Sequence, residues 1–356
     1  MKRPGPKRHA ILAGLGACLP ARVVSNDDLA AHLDTSDQWI RDRTGIRFRH
    51  FIDPGMSTSD LAVRAGALAL RSAGGGVGDG LTEVAADAVI VATMTPDRPC
   101  PATAPEVAAR LELNGIGAYD VSAACSGFPY GLATAAGLIA TGTASRVLLI
   151  GAETMSTIIN PRDRTTAVIF ADGAGAVLLR GGDADEEGAI GPVDLGSDGT
   201  NSDLIQVPGG GARARSTGLA GTDEDRYFQM EGKKVYRHAV DRMTAAARTA
   251  VKAAGWGLDD VDRLVMHQAN ARIAAAVTGR LALDPEKVLS NIAHVGNTSA
   301  ASIPLLLAQA AETGQLRVGH RVLTVAFGAG LTWGATTFTW PPVTACTEVT
   351  GPTNNR

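Results

Sequence analysis

The second half of this chain repeats the first. Asp87-Ala88-Val89-Ile90-Val91 is matched by Asp262-Arg263-Leu264-Val265-Met266, Ser145-Arg146-Val147-Leu148 by His320-Arg321-Val322-Leu323, and Pro129 by Pro304, all at one offset of about 175 residues. A period of half the chain indicates a duplicated lobe rather than a stack of short repeats. Chance likeness between apolar strands does not explain an offset shared by strand, proline and strand. Segments that read as buried strands (88–94, 147–152, 176–179, 264–266 and 322–327) alternate with apolar helical stretches (59–72, 126–140, 235–254 and 302–312), which indicates a layered α/β architecture. The two prolines fall in the first turn of equivalent helices, where a missing N–H costs nothing. The expected division is a first half over 1–181, a second over 182–340 beginning at the acidic, glycine-containing link Gly181–Glu187, and a flexible tail over 341–356 containing Pro341, Pro342 and Pro352.

The duplication gathers three reactive side chains. Ser122-Ala123-Ala124-Cys125 is equivalent to Asn297-Thr298-Ser299-Ala300, and the strand leading to His267 is equivalent to the one running into Ala92. Cys125, His267 and Asn297 therefore sit at the ends of homologous strands or the starts of the following helices, which pseudo-two-fold symmetry brings together. A thiol at a helix N-terminus has its thiolate favoured by unpaired amides and the helix dipole. The same amides can face an oxyanion. From the residues alone, a small buried cysteine, a structural histidine and a helix-capping asparagine stand as the alternatives.

Several function classes are disfavoured. A net charge of −3 over 356 residues argues against a general nucleic-acid binder. Cys18, Cys100, Cys125 and Cys346 are scattered, giving neither a zinc-ligand pattern nor a disulfide framework, and fit a reducing cytoplasm. Lys2, Arg3, Lys7 and Arg8 precede the apolar run Ala10–Cys18 in the manner of a signal peptide, but that run is short, carries two glycines and reads as a first strand. No stretch approaches the ~20 apolar residues that cross a membrane. The glycine runs Gly74–Gly80 and Gly209–Gly211 read as flexible loops. Asp172-Gly173-Ala174-Gly175 reads as a tight turn, because its glycines precede a strand and not a helix as in a nucleotide cradle.

Six stretches, in one order over residues 10–340, resemble β-ketoacyl-acyl-carrier-protein synthase III of the thiolase superfamily. They are Thr35-Ser36-Asp37-Gln38-Trp39-Ile40 with Arg43-Thr44-Gly45-Ile46-Arg47; Ser122–Phe128; Asp172–Ala176; His267–Ile273; Gly296–Ser302; and Phe327-Gly328-Ala329-Gly330. The resemblance implies a thiolase-like five-layered αβαβα fold of two duplicated halves, working as a homodimer. It implies a Cys125–His267–Asn297 triad in which Cys125 takes an acyl group as a thioester. His267 and Asn297 would then donate to the carbonyl of a malonyl thioester as carbon dioxide leaves, and the backbone amides of Cys125 and Ala329 would hold the tetrahedral oxyanion. No metal or cofactor is implied beyond coenzyme A and phosphopantetheine thioesters as substrates.

The resemblance also assigns carriers. Trp39 would stack on the adenine of coenzyme A, with Arg164 on its other face and Arg43 on the phosphates; core packing is the alternative for Trp39. Asn270 would touch the pantetheine arm. Arg272 and Arg237 are candidates for docking an acidic acyl carrier protein, Arg237 reading equally as a solvated arginine. Cys100, in Thr95–Pro101, falls where well-known bacterial members carry a phenylalanine that closes the partner's acyl pocket, so a primer larger than acetyl is expected; the 215–229 loop also departs from the family. A degradative thiolase needs a second cysteine near 327–331, and Cys346 lies beyond it. Elongating synthases carry a histidine where Asn297 stands. The remaining alternatives are an acyltransferase that moves an acyl group to a carrier, alcohol or sugar without decarboxylation, and a non-catalytic partner subunit.

Overall fold

The computed structural model describes residues 8–74, 85–218 and 221–351. Two mixed sheets form its frame. In the first, the order is Ala345–Val349, His9–Leu19, Asp172–Gly182, Arg146–Thr154, Ala88–Ala92, Gly117–Val121. In the second it is Asp194–Ser197, Thr332–Thr339, Arg321–Gly328, Arg263–Met266, Val288–Leu289. Starting from Gly117–Val121 in one and Val288–Leu289 in the other, successive neighbours pair parallel, parallel, antiparallel, antiparallel in both sheets. The repeat read from the sequence is thus a repeat of strand order and strand sense.

Both sheets are covered on both faces, which is why strands such as Ala88–Ala92 are continuously apolar and buried at every position instead of alternating. The Thr58–Ala73 helix packs on the outer face of the first sheet, the Gly127–Ala140 and Ser302–Glu312 helices lie between the sheets, and the Gly232–Ala253 helix covers the outer face of the second. Three apolar cores follow from this order. One joins Leu61 and Ala65 to Leu148 and Ile150, a middle one joins Phe128 and Leu132 to Ile303 and Leu306, and the third joins Val240 and Met243 to Leu323 and Val325. The layers read αβαβα.

Two expectations are corrected. The segment after residue 340 is not a free tail: Ala345–Val349 pairs in parallel with Leu15–Leu19, and the Thr350 amide donates to the Leu19 carbonyl at 2.8 Å. Pro341 and Pro342 precede the strand by which the chain re-enters the first sheet; Pro352 and the rest of residues 352–356 lie outside the described part. Asp172–Gly175 is the start of a strand, not a turn. Its glycines serve close packing, since a Cβ on Gly175 would lie 2.6 Å from the Leu305 nitrogen of a middle-layer helix. Ala10–Cys18 lies within a strand as expected, and most of Gly74–Gly80 lies outside the described residues.

The C-terminal strand covers the edge of His9–Leu19 with a backbone ladder, and Arg64 pairs with Glu348 at 2.7 Å beside it. An exposed ion pair contributes little, so the ladder carries most of the effect. Truncation after Pro342 is expected to lower the melting temperature by about 5 °C, the shift that roughly 2 kcal/mol produces in a domain of some 200 residues, while thioester chemistry at Cys125 persists; differential scanning calorimetry beside an acylation assay reads both.

Candidate active site

Cys125 lies in a tight turn, Ala124–Ser126, just ahead of the Gly127–Ala140 helix. Its pseudo-symmetric counterpart is the turn Ser299–Ala301 ahead of the Ser302–Glu312 helix. The matching residues Ala124 and Ser299 are both held at positive φ, 46° and 49°, a conformation that costs a non-glycine residue on the order of 1–3 kcal/mol and persists only where the surroundings impose it. The two turns pack on one another. A third segment closes over the first: a Cβ on Gly328 would lie 2.7 Å from the Cys125 nitrogen, so only glycine lets the end of the Arg321–Gly328 strand come this near. Thr332 ties the assembly, its hydroxyl reaching the carbonyls of Ala123 (3.1 Å) and Ala329 (2.9 Å), while Ser126 Oγ donates to the Thr332 carbonyl at 3.0 Å.

His267 follows the Arg263–Met266 strand and is buried. Its Nδ1 meets Ser302 Oγ at 2.7 Å, and the Gln268 amide donates to the same oxygen at 3.4 Å. Burial pushes the imidazole down to about 3, so the ring is neutral at physiological pH. Asn297 is pinned through its backbone, donating to Ile169 O at 3.0 Å and accepting from Ala171 N at 2.8 Å. Its Oδ1 accepts from the Ser299 amide at 2.9 Å. The capping role and a place in the site are therefore compatible: the carbonyl end orders the turn, and Asn297 lines the cavity.

Burial pushes the Cys125 thiol up to about 12, the Ser299 hydroxyl pulling it back and the Glu153 charge adding to the rise. The Cys125 backbone amide favours the thiolate, as its place at a helix start suggests, and desolvation opposes that pull and exceeds it.

One cavity of about 670 Å³ is lined by Trp39, Arg43, Cys125, Arg237, His267, Asn270, Arg272, Asn297 and Ala329. Its deep wall is apolar, with Phe170, Ile205, Phe228, Met230 and Met243. At the mouth, Ser36 caps the Asp37–Thr44 helix on the Trp39 amide at 3.2 Å, and Gly45 ends it at φ 79°. This helix sets Trp39 and Arg43 four residues apart on one face, and the Arg43 guanidinium lies 4.2 Å from the indole centroid. Arg164 stands 5.3 Å from the same ring and donates to the Asp34 carbonyl at 2.7 Å; it does not line the cavity. Trp39 is half-buried: it lines the cavity and also packs against the apolar core on the outer face of the second sheet. Asn270 Oδ1 caps the Ala271–Leu281 helix on the Arg272 amide at 2.8 Å. Arg237 and Arg272 are exposed at the rim. Cys100 is exposed and is not part of the cavity wall of its own chain.

Comparison with known proteins decides the family. Residues 119–199 match the model for 3-oxoacyl-[acyl-carrier-protein (ACP)] synthase III, and residues 251–340 match the model for its C-terminal part. The chain is 58% identical over 338 residues to "beta-ketoacyl-[acyl-carrier-protein] synthase III 3" of Streptomyces coelicolor, covering 94% of this chain and 98% of the relative. It belongs to the β-ketoacyl-acyl-carrier-protein synthase III family. A synthase III of Pseudomonas aeruginosa is 51% identical over 336 residues, 94% of this chain and 98% of that protein. A crystal structure of 3-oxoacyl-(acyl carrier protein) synthase III from P. aeruginosa superposes with a TM-score of 0.87 at 49% identity, over 94% of this chain and 99% of the other. A priming β-ketosynthase from a polyketide pathway superposes with a TM-score of 0.87 at 32% identity, covering 96% and 98%. The αβαβα arrangement is the thiolase fold of these synthases.

Within this synthase III site, sequence reasoning missed Ser302, Ser299 and Glu153. Ser302 held a detectable signal, since it closes the Gly296–Ser302 motif; Glu153 ends an otherwise apolar strand. Replacing Ser302 with alanine removes the hydroxyl at Nδ1, one of two groups on the imidazole, the other being the Ser299 backbone carbonyl. Ser302→Ala is expected to slow β-ketoacyl formation about tenfold, the cost of roughly 1.4 kcal/mol in the transition state, and to leave acyl-Cys125 formation unchanged, as followed by product assay and intact-protein mass spectrometry.

Proposed function

We propose that this synthase III performs the initiating decarboxylative Claisen condensation, joining an acyl-coenzyme A or acyl-carrier primer to malonyl-acyl-carrier protein in fatty-acid or polyketide biosynthesis. The observation that carries it is one cavity lined together by a cysteine, a neutral histidine and an asparagine whose Oδ1 is already taken by the Ser299 amide. Cys125 Sγ attacks the primer carbonyl, the thiolate of the carrier leaves, and the acyl group stays on the sulfur. The tetrahedral oxyanion is held by the amides of Cys125 and Ala329. The malonyl thioester then binds, and its carbonyl accepts from Asn297 NH2 and from His267 Nε2–H, the tautomer favoured when the Ser302 hydroxyl donates to Nδ1. Neutral donors suit an enolate: a carboxylate in place of Asn297 would repel it. As carbon dioxide leaves, the enolate carbon attacks the acyl carbonyl and releases Cys125.

The same cavity supports the carrier assignments. On this reading an adenine would stack at Trp39, with Arg164 beside that ring outside the cavity lining, phosphates would pair with Arg43, Asn270 would touch the pantetheine arm, and Arg272 and Arg237 would receive the acidic carrier protein. The reading uses thioester substrates and requires no cofactor. A cytoplasmic homodimer is part of the same proposal, carried by the likeness to the family. No helix of the described residues is long and apolar enough to cross a membrane.

Cys125→Ala is expected to abolish the acyl-enzyme mass. His267→Ala and Asn297→Ala are each expected to retain it while losing condensation by about a hundredfold or more, the usual cost of one oxyanion donor. Transfer of an intact acyl group without carbon dioxide release would instead establish simple acyl transfer. Cys100 is proposed to act across the dimer, its small side chain leaving room in the partner's pocket. On a panel of acyl-coenzyme A primers the parent is expected to prefer branched, longer or aromatic groups, and Cys100→Phe to shift preference toward acetyl; a parent that strongly prefers acetyl rejects the gate.

A further inference from the structure

Beneath Cys125 lies a carboxylate that the scheme above leaves unused. Glu153 ends the Arg146–Thr154 strand and is completely buried. Its Oε1 accepts from Ser299 Oγ at 2.9 Å, and its Oε2 from Thr95 Oγ1 at 2.7 Å and Thr93 Oγ1 at 3.2 Å. The amides of Met94, at 3.2 Å from both oxygens, and of Ala300 also donate to it. No ion pair among the described residues includes it. The turn that carries Ser299 packs on the turn that carries Cys125, and both the Ser299 hydroxyl and the Glu153 charge act on the thiol. The Ser299–Glu153 hydrogen bond, between residues 146 apart in sequence, thus sets the hydroxyl between the carboxylate and the turn that bears the sulfur.

We propose that Glu153 holds the proton of Cys125 through the Ser299 hydroxyl for as long as the sulfur is acylated. The inference rests on the nucleophilic role of Cys125 given above. When Sγ attacks, the thiol proton passes to Ser299 Oγ, and the hydroxyl's own proton passes to Glu153 Oε1. The primer's C–S bond breaks, and the departing carrier thiolate takes a proton from solvent. In the second half-reaction the enolate carbon attacks and the Sγ–acyl bond breaks. The thiolate then recovers its proton by the reverse path, returning Glu153 to a carboxylate. The cycle consumes one solvent proton, as the release of carbon dioxide from a malonyl carboxylate requires. It also leaves Glu153 neutral while an enolate forms nearby, where a second buried anion would oppose it.

The surroundings fit this role better than the alternative acceptor. Burial pushes Glu153 up to about 7, whereas it pushes His267 down to about 3, so the histidine is the poorer place for a proton. The other ionisable groups nearby are otherwise engaged. Asp172, on the paired strand, accepts from Ser156 and the Ile52 amide. Asp97 takes Ser57 and the Ser59 amide, and Asp120 the amides of Thr103 and Ala104.

The test is alkylation of Cys125 by iodoacetamide in the full-length protein, followed residue by residue with peptide mass spectrometry from pH 6 to 9, with exposed Cys100 as internal reference. The parent is expected to react faster as pH rises through about 7 and then level off. Glu153→Gln is expected to react at least tenfold more slowly at pH 7 and to keep gaining about tenfold per pH unit, as simple thiol ionisation requires. Glu153→Asp should restore part of the plateau. Were Glu153 only a buried charge or a structural anchor, the glutamine variant would alkylate faster or unchanged, and either result overturns the proposal. Ser299→Ala breaks the path while sparing the other donors to Glu153, and Ala124 shows that alanine adopts this backbone conformation; if the glutamine variant does not fold, the same two outcomes are read from it. A parent that alkylates with a plateau but is never acylated by an acyl-coenzyme A would sink the condensation reading instead.

Discussion

The site depends on the backbone-to-backbone approach of two turns that the duplication supplies, Ala124–Ser126 from one half and Ser299–Ala301 from the other. The approach leaves no room for side chains. A Cβ on Gly151 would lie 2.5 Å from the Ala300 carbonyl oxygen, and one on Gly127 would press on Ala92 and Ala300. Each turn is held by its neighbour from the opposite lobe, and each keeps one residue in a left-handed conformation that it would not adopt alone. The proposed chemistry depends on the absence of side chains at these glycines as much as on the presence of Cys125, His267 and Asn297.

Electrically the centre is built to be neutral around a reaction that creates anions. His267 is kept uncharged by burial, Asn297 has no charge to lose, and the cations Arg43, Arg237 and Arg272 stay at the rim. Charge near the sulfur is confined to Glu153, and five hydrogen-bond donors converge on it. A strongly raised thiol and a raised carboxyl sharing one hydroxyl make a pair in which only one of the two need carry the negative charge at a time.

Much of this was legible in the chain itself. The offset of the repeat located both sheets and the middle-layer helices, because a strand covered on both faces must be continuously apolar and such runs stand out. The motif around Cys125, His267 and Asn297 was readable because its residue types match its chemistry. The misses share a physical cause. Glu153 and Ser299 meet only after two sheets are stacked, and local sequence carries no trace of that contact. The final strand, Ala345-Cys346-Thr347-Glu348-Val349, is short and partly exposed, so neither length nor apolar pattern separates it from a tail. The helix start that favours a thiolate at Cys125 is visible in sequence, while the burial that opposes it is not.

The amide of Ala21 donates to the hydroxyl of Thr350, 329 residues along the chain. During synthesis, the strand His9–Leu19 leaves the ribosome with both edges bare; Asp172–Gly182 later takes one, and the other must wait for nearly the whole of the remaining polypeptide before its parallel neighbour exists. At translation rates of roughly 5–20 residues per second, that interval is tens of seconds. An unpaired apolar edge exposed for so long is a surface on which another nascent chain can add a strand. The closing strand thus works as a timing element: the first lobe becomes safe from its own kind only once the second has been made.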